Sequence, residues 1–193
     1  MTAFEVVYLA RHGQTEWNVE GRKQGRLDSP LTPQGLAQVR RNAALVSEEP
    51  VDGIFTSPLG RAHTTAEVFA TALRLPLHVL DDLSEVDHGE WSGLTKAEVE
   101  AGWPGELAVR KQGKYGYRFP GGESYADADV RAGRALAEVA QSGARRPLLV
   151  SHEMIGRMLL KQLGVEDALS LDQPSEVVYR VTIGDQSIVV GRI

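Results

Sequence analysis

The sequence contains no cysteine among its 193 residues, and this absence excludes several kinds of chemistry. A disulfide framework, a thiolate nucleophile, a cysteine-ligated zinc site and an iron–sulfur cluster all require cysteine side chains. Aromatic residues are also few, at 6%, but 42% of the residues are hydrophobic. This composition is enough for a sizeable core, and it excludes an intrinsically disordered chain.

Long apolar runs and an excess of basic residues are lacking as well. No run approaches the roughly 20 apolar residues that a membrane-spanning helix needs, and the N-terminus shows no basic start followed by an apolar stretch. With 21 Lys and Arg against 26 Asp and Glu, the net charge is −5, which argues against nucleic-acid and membrane partners. We expect a soluble cytoplasmic protein in which residues 1–193 form one domain.

Short apolar runs alternate with helical patterns along the chain. Strands are predicted at 4–9, 54–56, 77–80 and 147–150, with a closing hairpin at 177–183 and 187–190 around Gly184 and Asp185. Helices are predicted at 32–46, 57–72, 95–101, 124–141 and 154–163, two of which begin with the cap-and-proline pairs Thr32-Pro33 and Ser57-Pro58. Strands alternating with helices indicate a layered α/β fold with a mostly parallel sheet, to which the hairpin adds an antiparallel edge.

Polar side chains follow the predicted strands where ligands bind in open α/β sheets, outside the carboxyl ends. They include Arg11 and His12 after the first strand, Arg61 after the second, Glu85 after the third and His152 after the fourth. Arginine guanidinium groups match phosphate oxygens, and an unprotonated histidine nitrogen can attack phosphorus. A carboxyl group can supply the proton that a leaving alkoxide needs. The set therefore predicts a metal-independent site for phosphoryl transfer.

Five ordered segments resemble the histidine phosphatase superfamily, also called phosphoglycerate mutase-like. They are 9–18 (LARHGQTEWN) with its continuation 24–32, 57–66 (SPLGRAHTTA), 83–93 (LSEVDHGEWSG), 120–124 (PGGES) and 149–152 (LVSH). The resemblance spans residues 5 to 165, and it implies a phosphoglycerate mutase-like three-layer α/β/α sandwich. It also implies chemistry that needs neither a metal nor an organic cofactor.

The resemblance assigns a role to each matching position. His12 is expected to be the nucleophile that becomes phosphorylated, and Glu85 the general acid and then the base toward water. Arg11, Arg61 and His152 are expected to complete the catalytic phosphate pocket. The expected substrate- and phosphate-binding residues are Asn18, Gln24, Gly25, His88 and Glu153, of which Asn18 can also cap a turn. His63 is expected to be structural or on the surface, and the histidine spacing matches no metal-ligand pattern.

Three functions remain open at this level. Mutases of the family carry a larger insertion between the acid/base segment and the late histidine, and this chain lacks their Arg-His-Tyr-Gly run. We therefore favour a phosphatase acting on a small phosphorylated metabolite, as a monomer or homodimer. A phosphoglycerate mutase is the alternative, and a non-catalytic module on the same fold is a third possibility, although no catalytic group is missing.

Two features are expected to make this chain differ from its relatives. Residues 102–122 are predicted to form a long loop that acts as a lid or specificity loop. Its cations, Arg110, Lys111, Lys114 and Arg118, are either solvated or engage a substrate carboxylate or second phosphate. Where relatives often carry glycine after the late histidine, this chain has Glu153, whose side chain we expect to turn away from the phosphate pocket.

Overall fold

A computed structural model describes residues 3–184 and 188–193, and these residues contain one six-stranded sheet. The strands are β1 (Val6–Arg11), β2 (Gly53–Thr56), β3 (Leu77–Val79), β4 (Pro147–Ser151), β5 (Val178–Ile183) and β6 (Ile188–Arg192). Their order across the sheet is β3-β2-β4-β1-β5-β6. The neighbours β3, β2, β4 and β1 are parallel to one another, β5 pairs antiparallel with β1, and β6 pairs antiparallel with β5. The mostly parallel sheet with an antiparallel edge is therefore confirmed. The predicted hairpin residues Asp185 and Ser187 lie outside the described residues.

Seven α-helices connect and cover the strands in the part of the chain that the structure describes. They are α1 (Glu16–Glu20), α2 (Pro33–Val46), α3 (Gly60–Leu73), α4 (Lys96–Gly102), α5 (Glu106–Gln112), α6 (Tyr125–Gln141) and α7 (Glu153–Gln162). Capping side chains begin three of them, and the cap at Thr32 was predicted from its Thr-Pro pair. Thr32 accepts a hydrogen bond from Gly35 N before Pro33 in α2, and Thr95 and Ser124 form capping boxes for α4 and α6.

Side chains along the central strands alternate between the two faces of the sheet, and a hydrophobic core lies on each face. In β1, Val7 and Leu9 face a core that contains the buried residues of α6 and α7. Val6, Tyr8 and Ala10 face the opposite core, which contains those of α2 and α3. Successive side chains of a strand point to opposite faces. The two helical layers around one sheet confirm the three-layer α/β/α sandwich.

The first strand lies two residues further along the chain than predicted, at Val6–Arg11, and two further predictions are wrong for reasons that the structure shows. Helix α3 begins at Gly60 rather than at Pro58, because Asp28 supplies the cap from a distant loop: its Oδ1 accepts a hydrogen bond from Arg61 N at 3.2 Å. The segment 102–122 is not one continuous loop, since α5 occupies Glu106–Gln112. Its first turn contains an acidic residue and its last turn two basic residues, an arrangement that complements the helix dipole. Within the described ranges, no helix is long and apolar enough to cross a membrane.

Candidate active site

Strand register brings the carboxyl ends of β1, β2 and β4 together. His12 N donates to Ser151 O at 3.0 Å, and Ser57 N donates to Val150 O at 3.2 Å, so the residues that follow the three strands are neighbours. The imidazole rings of His12 and His152 lie with their centroids 5.2 Å apart. Two histidines separated by 140 positions therefore share one edge of the sheet, at the carboxyl ends where ligands bind in open α/β sheets.

A cavity of about 270 Å³ opens at this edge. Nine of the ten predicted site residues line it: Arg11, His12, Asn18, Gln24, Gly25, Arg61, Glu85, His88 and Glu153. The tenth, His152, is fully buried beside His12. The volume suits a small ligand.

His12 has the geometry of a nitrogen nucleophile. Its Nδ1 lies 2.9 Å from the carbonyl oxygen of Gly13, which can only accept a hydrogen bond, so Nδ1 carries the proton. Burial, and then the positive charges of Arg11 and Arg61, hold the pKa of His12 well below its ordinary value of 6.5. The ring is therefore neutral at pH 7, and the lone pair on Nε2 is free to attack.

Two guanidinium groups lack acceptors for one buried N–H each. Arg61, almost fully buried, donates to the carbonyl oxygens of Leu27 (2.6 Å) and Gly25 (2.8 Å) and to Asp28 Oδ1 (3.0 Å). Arg11 donates through one terminal nitrogen to Gln173 O at 3.2 Å. The Nε atoms of both arginines are buried and have no partner among the described residues. Buried donors of this kind are normally satisfied, so these two suit an anion bound beside His12.

His152 carries a further buried nitrogen without a partner. Its Nε2 lies 2.8 Å from Ser57 Oγ, and its Nδ1 contacts no polar group in the described ranges. Burial, followed by the charge of Arg61, lowers the pKa of His152 well below 6.5. The imidazole is therefore neutral at pH 7 unless a neighbouring anion raises its pKa.

The Glu85 carboxyl group is held by the main chain at the start of α7. Its oxygens accept hydrogen bonds from Val86 N (2.9 Å), Met154 N (3.2 Å) and Ile155 N (3.1 Å). Burial raises its pKa above the ordinary 4.5, although these three bonds and Arg61 oppose the shift. A raised pKa favours the protonated form that a general acid needs.

The remaining predicted residues form the rim of the cavity. His88 is buried against Phe119, with ring centroids 4.5 Å apart, and its Nε2 lies 3.1 Å from Met154 Sδ. Burial, with Lys23 as the strongest of the neighbouring charges, lowers the pKa of His88 to about 3. Asn18 uses its Oδ1 to accept from Thr15 N at 3.1 Å in the capping box of α1, so it caps a turn and also lines the cavity.

The prediction that Glu153 turns away from the pocket is wrong. Its Oε2 lies 3.0 Å from Arg11 and its Oε1 lies 2.8 Å from Arg157, and the side chain lines the cavity. The i,i+4 spacing of Glu153 and Arg157 on α7 is the sequence signal for this orientation. A carboxylate therefore contacts one of the two arginines that face His12.

Sequence reasoning missed four further residues that line the cavity, which are Gly21, Arg22, Lys23 and Met154. It also missed Ser57, the hydrogen-bond partner of His152, because Ser57 was taken for a helix cap. None of the four predicted loop cations is among the lining residues. Arg118 pairs with Asp127 at 2.8 Å, and Arg110 packs on the rings of Phe119 and Tyr125.

His63 lies apart from this cavity, as predicted. It is on α3, partly exposed, with its Nδ1 3.6 Å from Glu67. Across residues 3–184 and 188–193, no group of three or more His, Cys, Asp or Glu side chains is arranged to hold a metal ion.

The chain belongs to the histidine phosphatase superfamily (branch 1), whose family model matches residues 7–192. Phosphoserine phosphatase 1 of Hydrogenobacter thermophilus is 36% identical over 160 residues, covering 82% of this chain and 76% of the relative. The Salmonella choleraesuis protein called "Probable phosphoglycerate mutase GpmB" is 39% identical over 152 residues, which cover 76% of this chain and 68% of that protein.

Among solved structures, a mycobacterial glucosyl-3-phosphoglycerate phosphatase in complex with VO3 superposes with a TM-score of 0.83. The two sequences are 28% identical, and the superposition covers 98% of this chain and 97% of the mycobacterial chain. The family and the phosphatases among these relatives identify the chain as a phosphatase-type enzyme of the phosphoglycerate mutase-like fold.

Proposed function

We propose that the protein is a metal-independent phosphatase that hydrolyses small phosphate monoesters through a phosphohistidine at His12. The observation that carries this proposal is the neutral His12, protonated on Nδ1, in a cavity also lined by Arg11 and Arg61, whose buried Nε atoms have no partner in the described ranges. A neutral nucleophile with fixed cationic donors around it is what attack on a phosphate dianion requires. The two arginines supply the positive charge that a metal ion supplies at other phosphoryl-transfer sites.

In the first step, His12 Nε2 attacks phosphorus and the bond between phosphorus and the ester oxygen breaks. Protonated Glu85 donates its proton to the departing alkoxide, which leaves as an alcohol. Arg11, Arg61 and His152 hold the phosphoryl oxygens, and His152 can donate from Nδ1 if the bound anion raises its pKa. Asn18 is a further donor to the phosphate.

In the second step, water attacks phosphorus and breaks the bond to His12 Nε2. Glu85, now a carboxylate, takes a proton from this water and returns to its starting state. Inorganic phosphate then leaves. Gln24, Gly25 and His88 line the rim through which the alcohol and the water must pass.

A phosphatase is favoured over a mutase because the segment between Glu85 and His152 lacks the insertion that would shield the phosphohistidine from water. The net charge of −5 favours a small phosphorylated metabolite over nucleic acid as the partner. We propose that residues 1–193 act as a single domain in the cytoplasm, as a monomer or homodimer, with residues 102–122 covering the cavity mouth.

Trapping of the intermediate tests the nucleophile directly. A ³²P-labelled phosphate monoester mixed with the enzyme and quenched within one turnover should give an acid-labile label on the peptide that contains His12. His12→Ala should carry no label and should lose phosphatase activity. Full activity in this variant would exclude His12 as the nucleophile.

The role of Glu85 is tested by varying the leaving group. Glu85→Gln should slow hydrolysis of an alkyl phosphate by roughly 10²- to 10⁴-fold, because the alkoxide then leaves without a proton. With p-nitrophenyl phosphate the loss should be much smaller, since p-nitrophenolate leaves without protonation. Equal losses on both substrates would remove Glu85 from the acid role.

A further inference from the structure

Lys23 is a half-buried cation on the wall of the cavity, and no carboxylate contacts it in the described ranges. Its main chain is fixed, since Lys23 N donates to Leu94 O at 2.9 Å and Gly93 N donates to Lys23 O at 2.7 Å. The ammonium group lies 5.9 Å from the centre of the Trp91 ring and has no hydrogen-bond partner among the described residues. A charged group in this position has lost part of its hydration without gaining an ion pair.

The charges around Lys23 increase, rather than offset, the free-energy cost of burying its ammonium group. Burial first, and then the positive charges of Arg110 and Lys96, lower the pKa of Lys23, and Glu153 acts weakly in the opposite direction. Glu153 is already bound to Arg11 and Arg157. Lys23 therefore lacks a counter-charge among the described residues.

The neighbouring arginine shows that an uncompensated cation is not a general property of the cavity mouth. Arg22 contacts Glu20 at 2.7 Å and Glu98 at 3.1 Å, so its charge is balanced although it is adjacent in sequence. Lys23 also lines the cavity, and among the neighbouring charges its own acts most strongly on His88, another lining residue. Any second anion of a phosphate monoester belongs to its leaving group, which must occupy this cavity once the phosphate lies at His12.

We propose that Lys23 binds a second anionic group, carried on the leaving-group side of the substrate, and so selects phosphate monoesters that also bear a carboxylate or a second phosphate. The proposal rests on the phosphatase function proposed above and defines its substrate class. Arg110 and Lys96 raise the local positive potential, while Lys23 makes the direct contact. A hydrogen bond from an ammonium group to a carboxylate in a partly buried site contributes about 10- to 100-fold in binding.

Paired substrates that differ only in the second anion test this proposal. O-phosphoserine and O-phosphoethanolamine differ by one carboxylate, and fructose 1,6-bisphosphate and fructose 6-phosphate differ by one phosphate. The ratio of kcat/KM within each pair should favour the substrate with the second anion. In Lys23→Met, which keeps the side-chain length, the ratio should fall about 10- to 100-fold for whichever pair the site accepts.

The matched control is Lys111→Met, which removes the same charge from an exposed position on α5 outside the cavity lining. It should keep the wild-type ratio, and thermal unfolding should show that both variants are folded. An unchanged ratio in folded Lys23→Met, with hydrolysis of all substrates retained, would overturn the Lys23 proposal alone. Absence of hydrolysis of every monoester by the wild-type protein would instead overturn the proposed function.

Discussion

Lowering the pH from about 8 to about 5 should destabilise the protein, and His88 should account for a defined part of that loss. Its ring is buried against Phe119, with Nε2 close to Met154 Sδ, and its Nδ1 has no partner among the described residues. Protonation would place a charge in this apolar contact, beside the cation of Lys23. Burial and that charge lower the pKa of His88 to about 3 in the folded protein.

The sign and size of the effect follow from the two pKa values of His88. A histidine whose pKa is depressed on folding contributes stability above its unfolded pKa of about 6.5, and this contribution is lost as the pH falls. At about pH 5 the unfolded imidazole binds a proton and the folded one does not. This pH lies about 1.5 units below the pKa of the unfolded imidazole. At about 1.36 kcal/mol per unit, the free energy of unfolding falls by about 2 kcal/mol.

Urea unfolding of the wild type and His88→Gln between about pH 8 and pH 5 measures this contribution. At about pH 8 the imidazole is neutral in both states, so the difference in unfolding free energy reports only the changed packing. That difference should shrink by about 2 kcal/mol at about pH 5, because the variant has no imidazole to protonate on unfolding. A constant difference across this range would refute the buried, neutral state of His88.

Three further substitutions test residues that position the charged side chains of the site or stabilise the fold around it. Gly25→Ala, at φ +53°, would bring a Cβ to 2.8 Å from Ser92 Oγ and displace the carbonyl that binds Arg61, so KM should rise several-fold. The control in the same kinetic assay is Gly143→Ala, at φ +85° with open space around it and outside the cavity lining. Arg131→Met removes the more buried of the two arginine partners of Glu123 and the donor to the carbonyls of Asp82 and Ser84, and urea unfolding should show a loss of about 3 kcal/mol; a loss below 1 kcal/mol would contradict this role. Glu153→Gln removes a negative charge beside Arg11, so the inhibition constant for inorganic phosphate should fall about fivefold, and weaker inhibition would show that Glu153 mainly orients Arg11.

The parts of the fold that depend on local chemistry could be predicted from the sequence. Thr32 and Thr95 cap their helices through residues three positions away, and strand alternation is set by the neighbouring residues. The rule that ligands bind at the carboxyl ends of parallel strands predicts from the sequence that His12, Arg61 and His152 lie together. These inferences need no information from distant segments.

The errors in prediction come from contacts between distant parts of the chain. The start of α3 depends on Asp28, which lies more than thirty positions before Arg61 and replaces Ser57 as the cap. Ser57 then contacts His152 instead. Local propensity favoured a helix from Pro58, but a tertiary hydrogen bond decided the boundary. Lys23 was missed for the same reason, since only the folded cavity shows which of two adjacent cations lacks an acidic partner.

The charge distribution within the cavity explains how one small site could combine phosphate binding with selection among phosphate esters. At the phosphate end, Arg11 and Arg61 each contact a carboxylate, from Glu153 and Asp28 respectively. These contacts fix the guanidinium groups and moderate their positive charge, so that inorganic phosphate can leave after hydrolysis. Lys23, which also lines the cavity, has no carboxylate partner in the described ranges. The net attraction that remains for a second anion is therefore concentrated at the leaving group, which is the part of the substrate that differs between esters.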